Sequence, residues 1–182
     1  MTEPGLDRCT LVRVEWNDPR AVALREAMDV EIGARYADPG ATAVDEQVAL
    51  ALVVDPAEIA ATLLVLDGDA VPIAHGALRM LRGDWEIKRV IVASAYRGRG
   101  VGRALMTELE RIAVVGGASR LILQTRDRQP EAVALYERLG YTPIPIYEPY
   151  VEAIPFSLCF EKPVAPLCVP RYYVRTKSVR TV

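Results

Sequence analysis

The stretch Arg97-Gly98-Arg99-Gly100-Val101-Gly102-Arg103 holds three arginines and three glycines and no acid. Glycines leave backbone N–H groups accessible. A helix opening directly behind them presents its first unpaired amides and a partial positive charge. Such a place suits an anion, a phosphate above all. Two commoner phosphate motifs do not fit. A dinucleotide fingerprint, G-x-G-x-x-G, needs glycine where Arg103 stands, and a P-loop needs Gly-Lys-Ser/Thr after its second glycine. What remains is R-x-x-G-x-G from Arg97 to Gly102, a cradle whose ligand its spacing leaves open. Tyr136 shares an apolar helix face with Ala132 and Leu139, where a tyrosine packs with its hydroxyl bonded or donates a proton. His75 is the only histidine. A lone imidazole in a strand is more often packed or solvated than a base, and no Ser-His-Asp set and no metal-ligand cluster can be assembled.

The elements that must position these residues follow from periodicity. Val90-Ile91-Val92 ends an apolar strand from Trp85, and behind the loop Val101, Leu105, Leu109 and Ile112 fall at helical spacing until Gly116-Gly117. A strand over Ser119–Thr125 comes next, then a helix capped by Asp127–Pro130 and ended by Gly140, so residues 86–140 read strand, helix, strand, helix, with the two strands parallel. Upstream, Leu11–Trp16 alternates as a strand. Asp18 and Pro19 open a helix ending near Gly33, Tyr36–Gly40 is turn-like, and Asp45–Leu52 is a short helix. Ile59–Leu66 and Val71–Leu81 flank Asp67-Gly68-Asp69 as a hairpin. Tyr141–Tyr147 and Pro155–Lys162 read as two last strands.

The bulk numbers bound the rest. A chain of 182 residues, half of it apolar, fits one domain. A net charge of -2 argues against a nucleic-acid binder. Cys9, Cys159 and Cys168 are odd in number and widely spaced, which favours reduced thiols and a cytoplasmic protein. The N-terminus does not read as a signal peptide, and no apolar run is long enough for a membrane helix.

The loop resembles the acyl-CoA pyrophosphate loop of the GNAT superfamily of N-acetyltransferases, Q/R-x-x-G-x-G/A. A second family motif, N-x-x-A-x-x-L-Y-x-x-x-G-F/Y, matches at Ala132, Leu135, Tyr136, Gly140 and Tyr141 of the stretch from Gln129 to Tyr141. With the Glu86–Val90 strand and a closing Ser157–Lys162 strand, the resemblance covers residues 84–162. It implies a mixed α/β (α+β) fold: a mostly antiparallel central sheet of about six to seven strands, splayed near Val90–Ala93, with helices on both faces. Residues 1–182 would form one N-acetyltransferase domain, with 163–182 as a C-terminal extension.

The resemblance further implies acetyl-CoA as co-substrate and no metal. Backbone groups of Val90, Ile91 and Val92 would meet the pantetheine like an added strand. Gly98, Gly100, Val101 and Gly102 would hold the pyrophosphate through backbone amides, with Arg97, Arg99 or Arg103 adding charge. Gln129, in place of the usual Asn, would face the pantetheine. Tyr136 would protonate the leaving thiolate after direct attack by an amine. Glu86 would deprotonate that amine or stand as an exposed strand residue paired to Lys88 or Arg89. Tyr147, Glu148 and Tyr150 would line the acceptor site or cover the sheet. A non-catalytic acyl-CoA-binding module of the same fold is the rival reading. The partner is a small-molecule or peptide amine, without nucleic acid or membrane. The sheet edge and the Arg171–Arg180 tail are compatible with a homodimer.

Overall fold

The computed structural model describes residues 9–37 and 46–165. Strand β1 (Thr10–Val14) leads into helix α1 (Pro19–Tyr36), where the Asp18 carboxylate accepts from the Arg20 amide at 2.9 Å and Pro19 opens the first turn. Gly33, expected near the end of this helix, lies inside it. The glycine faces open space, and its modest propensity cost does not stop the helix before Tyr36. Helix α2 (Glu46–Leu52) matches the second short helix. Asp45 and residues 38–40 of the expected turn lie outside the described residues, as do Cys168 and the tail from Arg171 to Arg180.

The hairpin is formed by β2 (Ile59–Leu66) and β3 (Pro72–Leu81), with the Asp67 carboxylate accepting from the amides of Asp69 and Val71. Then come β4 (Asp84–Val92), α3 (Val101–Val115), β5 (Arg120–Arg126) and α4 (Pro130–Arg138). The strand expected over Tyr141–Tyr147 is shorter: β6 spans Thr142–Ile144, because Pro143 and Pro145 lack the N–H that a longer ladder needs. A short helix, α5 (Tyr150–Ala153), precedes β7 (Ser157–Pro163).

The strands form one sheet in the order β1-β2-β3-β4-β5-β7-β6, antiparallel except for β4 and β5, which run parallel across the α3 connection. Helix α3 buries Leu105, Met106 and Leu109 against Leu78, Ile87 and Leu121 on one face. A Cβ on Gly76 would stand 2.9 Å from Leu109 Cδ1, so this glycine lets α3 approach the sheet closely. Helix α1 lies on the other face, where Arg25 meets His75. No helix among the described residues is long and apolar enough to cross a membrane.

Pairing between β4 and β5 stops at Ile87 opposite Leu123. Just beyond, His75 of β3 stands opposite Ile91 but Ala77 opposite Lys88, so Arg89 and Val90 together face Gly76. This is a β-bulge, with Arg89 in the left-handed region at φ 56°. The extra residue bends β4 away from β5 and reverses its side-chain alternation. The splay therefore opens at Lys88 and includes the expected Val90–Ala93 stretch.

Gly116 caps α3 at φ −75°, a conformation alanine shares, but its Cβ would lie 2.5 Å from two ring carbons of Trp85. Gly116→Ala is expected to lower the free energy of urea unfolding by about 1–3 kcal/mol, the usual cost of overpacking a rigid neighbour.

Candidate functional site

A cavity of about 640 Å³ occupies the splay. Val90, Ile91 and Val92 of β4 form one wall, the loop Arg97–Arg103 one end, Gln129, Ala132, Leu135 and Tyr136 of the α4 segment another wall, and Met28, Glu31, Ile32 and Arg35 of α1 its cover. Of the residues singled out in the sequence, Val90, Ile91, Val92, Arg97, Gly98, Gly100, Gly102, Arg103, Gln129 and Tyr136 line it together. Arg99, Val101 and Glu86 do not.

The strand edge faces this space. The Ala93 amide donates to Ile73 O at 2.8 Å, so alternation turns the N–H and C=O groups of Val90 and Val92 away from β3 and toward the opening. Val92 O is met by a side chain, accepting from Arg97 Nε at 2.9 Å.

The loop needs its glycines. Gly98 and Gly100 have φ of 75° and 85°. Gly100 is the N-cap of α3 and offers no side-chain cap, and the first turn holds no acid, so the leading amides of α3 meet neither a cap nor a carboxylate. A Cβ on Gly102 would come within 3.2 Å of Leu135 and 3.6 Å of Val92, which fixes the close meeting of α3, α4 and β4. Val101 turns its side chain into the core and leaves only its backbone for the loop.

The three arginines differ. Arg97 is ion-paired with Glu31 of α1, and that guanidinium holds the Glu31 carboxyl below its ordinary value. Arg99 lies over the Tyr96 ring, 5.6 Å from its centroid. Arg103 lines the cavity, exposed and without an ion pair among the described residues. Arg35 bonds Glu31 at 2.7 Å, Arg128 O at 3.1 Å and also Glu131, tying α1 across the mouth to α4.

Tyr136 is 6% exposed, its ring set against Tyr141 and Phe160 with centroids 6.1 and 6.2 Å away. No described residue hydrogen-bonds its hydroxyl. Burial pushes the phenol up to about 12, so it holds its proton at neutral pH. Gln129 sits at the α4 N-cap without bonding a helix amide by its side chain; it lines the cavity, where its side chain meets the Tyr36 hydroxyl.

Glu86 is fully buried rather than exposed. Its Oε2 accepts from Arg79 Nε at 2.5 Å and its Oε1 from the hydroxyls of Tyr147 and Tyr150, each at 2.8 Å, while Lys88 Nζ stands 3.8 Å away. Burial raises both tyrosines, with the Glu86 charge adding to it. Glu148 is exposed.

His75 is a structural pin, a role its lone position in a strand did not reveal. A carbonyl only accepts and a guanidinium only donates, so Nδ1–H donates to Arg89 O at 2.7 Å and Nε2 accepts from Arg25 Nη1 at 3.2 Å. The imidazole thus holds the bulge that opens the cavity. No cluster of His, Cys, Asp or Glu suited to a metal exists among the described residues, and Cys9 and Cys159 are free thiols.

The model of the Acetyltransferase (GNAT) family matches residues 15–141, and the chain belongs to that family. It is 38% identical over 79 residues to the uncharacterised N-acetyltransferase YjcF of Bacillus subtilis, covering 43% of this chain and 54% of that protein. It is 37% identical over 82 residues to the IAA acetyltransferase of Azospirillum brasilense, covering 45% and 53%. The chain thus spans about half the length of these curated relatives. Among solved structures, a Klebsiella pneumoniae protein assigned as an acyl-CoA N-acyltransferase superposes with a TM-score of 0.69 at 26% identity, over 85% of this chain and 97% of that one. The PaiA N-acetyltransferase of Thermoplasma acidophilum, solved with coenzyme A, shares the fold at a TM-score of 0.62 and 14% identity, over 86% and 99%.

Burial pulls His75 down from 6.5 to about 4. The unfolded chain therefore binds the extra proton first as pH falls, and the folded state loses stability between pH about 6.5 and about 4, by up to about 3 kcal/mol from this group. Urea midpoints of the wild type should fall over that range more steeply than those of His75→Asn. Parallel slopes would show that His75 is not held neutral.

Proposed function

We propose that this chain moves an acetyl group from acetyl-CoA to a primary amine by direct attack. The observation that carries this reading is that one cavity brings together an open strand edge, a glycine cradle at a helix N-terminus and an unbonded, protonated Tyr136 hydroxyl. The names of the relatives and the coenzyme A in a fold neighbour support it.

Val90 and Val92 offer the pantetheine amides main-chain partners, as a neighbouring strand would. The amides from Gly98 to Arg103 hold the pyrophosphate, and Arg103 is the arginine placed to add charge, since Arg97 is engaged by Glu31. Gln129 supplies an amide toward the same arm. The amine attacks the thioester carbonyl, and Tyr136 gives its proton to the departing thiolate. Glu86 is reached through the hydroxyls of Tyr147 and Tyr150, so it receives the amine's proton at the end of a relay rather than by contact.

Coenzyme A release from acetyl-CoA, followed across a panel of amines, tests the reading. Tyr136→Phe should lower kcat by about 100-fold, the lower end of what a general acid supplies, with little change in KM for acetyl-CoA. Acetyl-CoA that binds but is never turned over with any amine would instead assign the chain as a non-catalytic acyl-CoA-binding module. Arg103→Ala should weaken coenzyme A binding several-fold at low salt and less at high salt. Arg99→Ala should have the smaller effect.

A further inference from the structure

Arg97 stands at the strand edge that an acyl-CoA arm would use. Alternation turns the Val92 carbonyl toward the opening, and Arg97 Nε donates to it at 2.9 Å, the distance at which the amide of an added strand would bond the same oxygen. The guanidinium is held there from its other side, where Nη2 donates to Glu31 Oε2 of α1. Arg97 also adjoins Gly98, the first glycine of the cradle. Its charge belongs beside the anion site, yet in the free chain its donors are engaged by a carbonyl and a carboxylate.

This contact is one link of a longer chain. Glu31 Oε1 accepts from Arg35 Nη2 at 2.7 Å, and Arg35 bonds Glu131 of α4 in turn. Val92, Arg97, Glu31, Arg35 and Glu131 all line the cavity and together join its β4 wall to its α4 wall. The Arg97 and Glu31 side chains are each 35% exposed, and an ion pair so open to water is weak. A pyrophosphate brings two charges to a ring of main-chain amides. It therefore competes for the guanidinium with the advantage over a single carboxylate.

We propose that Glu31 holds Arg97 as an internal stand-in for the ligand, a latch that acetyl-CoA must open. This rests on the acetyl-CoA reading above. In the free chain Arg97 covers the Val92 carbonyl. When the ligand enters, the guanidinium leaves that oxygen to the pantetheine and exchanges the Glu31 carboxylate for the pyrophosphate beside Gly98. Only hydrogen bonds and one ion pair change partners. The apparent affinity is lowered by the fraction of chains in which the latch is closed, so Glu31 sets how tightly the cavity takes the ligand.

Coenzyme A titrations by calorimetry across a double-mutant cycle test this. Glu31→Gln removes the charge at nearly constant size, whereas Glu31→Asp keeps the charge and draws it back by one methylene. Each should tighten binding about 2- to 5-fold, the range for losing one competing, exposed ion pair. In an Arg97→Ala chain, Glu31→Gln should change nothing further. Tightening by Gln but not by Asp would overturn the proposal, as would equal tightening in the Arg97→Ala chain, because plain repulsion between Glu31 and the anion produces both. Unchanged or weaker binding in the Glu31 variants would overturn it too, and weaker binding would mark Glu31 as a brace that only shapes the cavity. Failure of the wild-type chain to bind coenzyme A would remove the cofactor reading and this inference with it, whereas binding with no coupling in the cycle removes the latch alone.

Discussion

Beyond Ile87, β4 keeps β3 on one side and has no strand on the other, although it lies in the middle of a seven-stranded sheet. Main-chain groups left unpaired in such a place are costly, and a sheet normally closes over them. Here the gap is enforced. Arg89 occupies the left-handed region, a conformation that costs on the order of 1–2 kcal/mol for a residue with a Cβ. His75 bonds its carbonyl, Asp29 of α1 bonds its guanidinium, and Gly76 lets α3 press on the opposite face. Strain at one residue, held by neighbours on both faces, keeps a strand edge available for a ligand.

The same opening divides the chemistry between two faces. The α3 and α4 face supplies the glycine cradle and the buried hydroxyl of Tyr136. The other face supplies Glu86, Lys88, Arg79 and the two tyrosines, a hydrogen-bonded polar cluster roofed by α2 and α5 through Ala51, Tyr150 and Ile154. Arg97 and Arg35 then tie α1 to the loop and to α4, so the wall of the cavity is also its electrostatic brace.

What the sequence made legible was local. Glycines at φ above zero, a helix starting without an acid, and Tyr136 on an apolar helix face are each set by residues within a turn or two, so pattern was enough. Glu86 shows the opposite case. Its partners come from the facing strand at Arg79 and from Tyr147 and Tyr150 more than sixty positions downstream, and no spacing rule announces a carboxylate satisfied from such distances. His75 likewise depends on Arg25, fifty positions away, and on a bulge that only strand register reveals. The short β6 and the α5 turn were hidden because Pro143, Pro145 and Pro149 limit pairing without naming what replaces it.

The central claim is that the open edge of β4 and the first turn of α3 together receive acetyl-CoA. Amide hydrogen exchange with and without acetyl-CoA tests it most directly. The account predicts slowed exchange at Val90, Val92 and the amides from Gly98 to Arg103, with the far strands β1 and β2 unchanged. Binding that protects other segments and leaves these amides exchanging as before would contradict it.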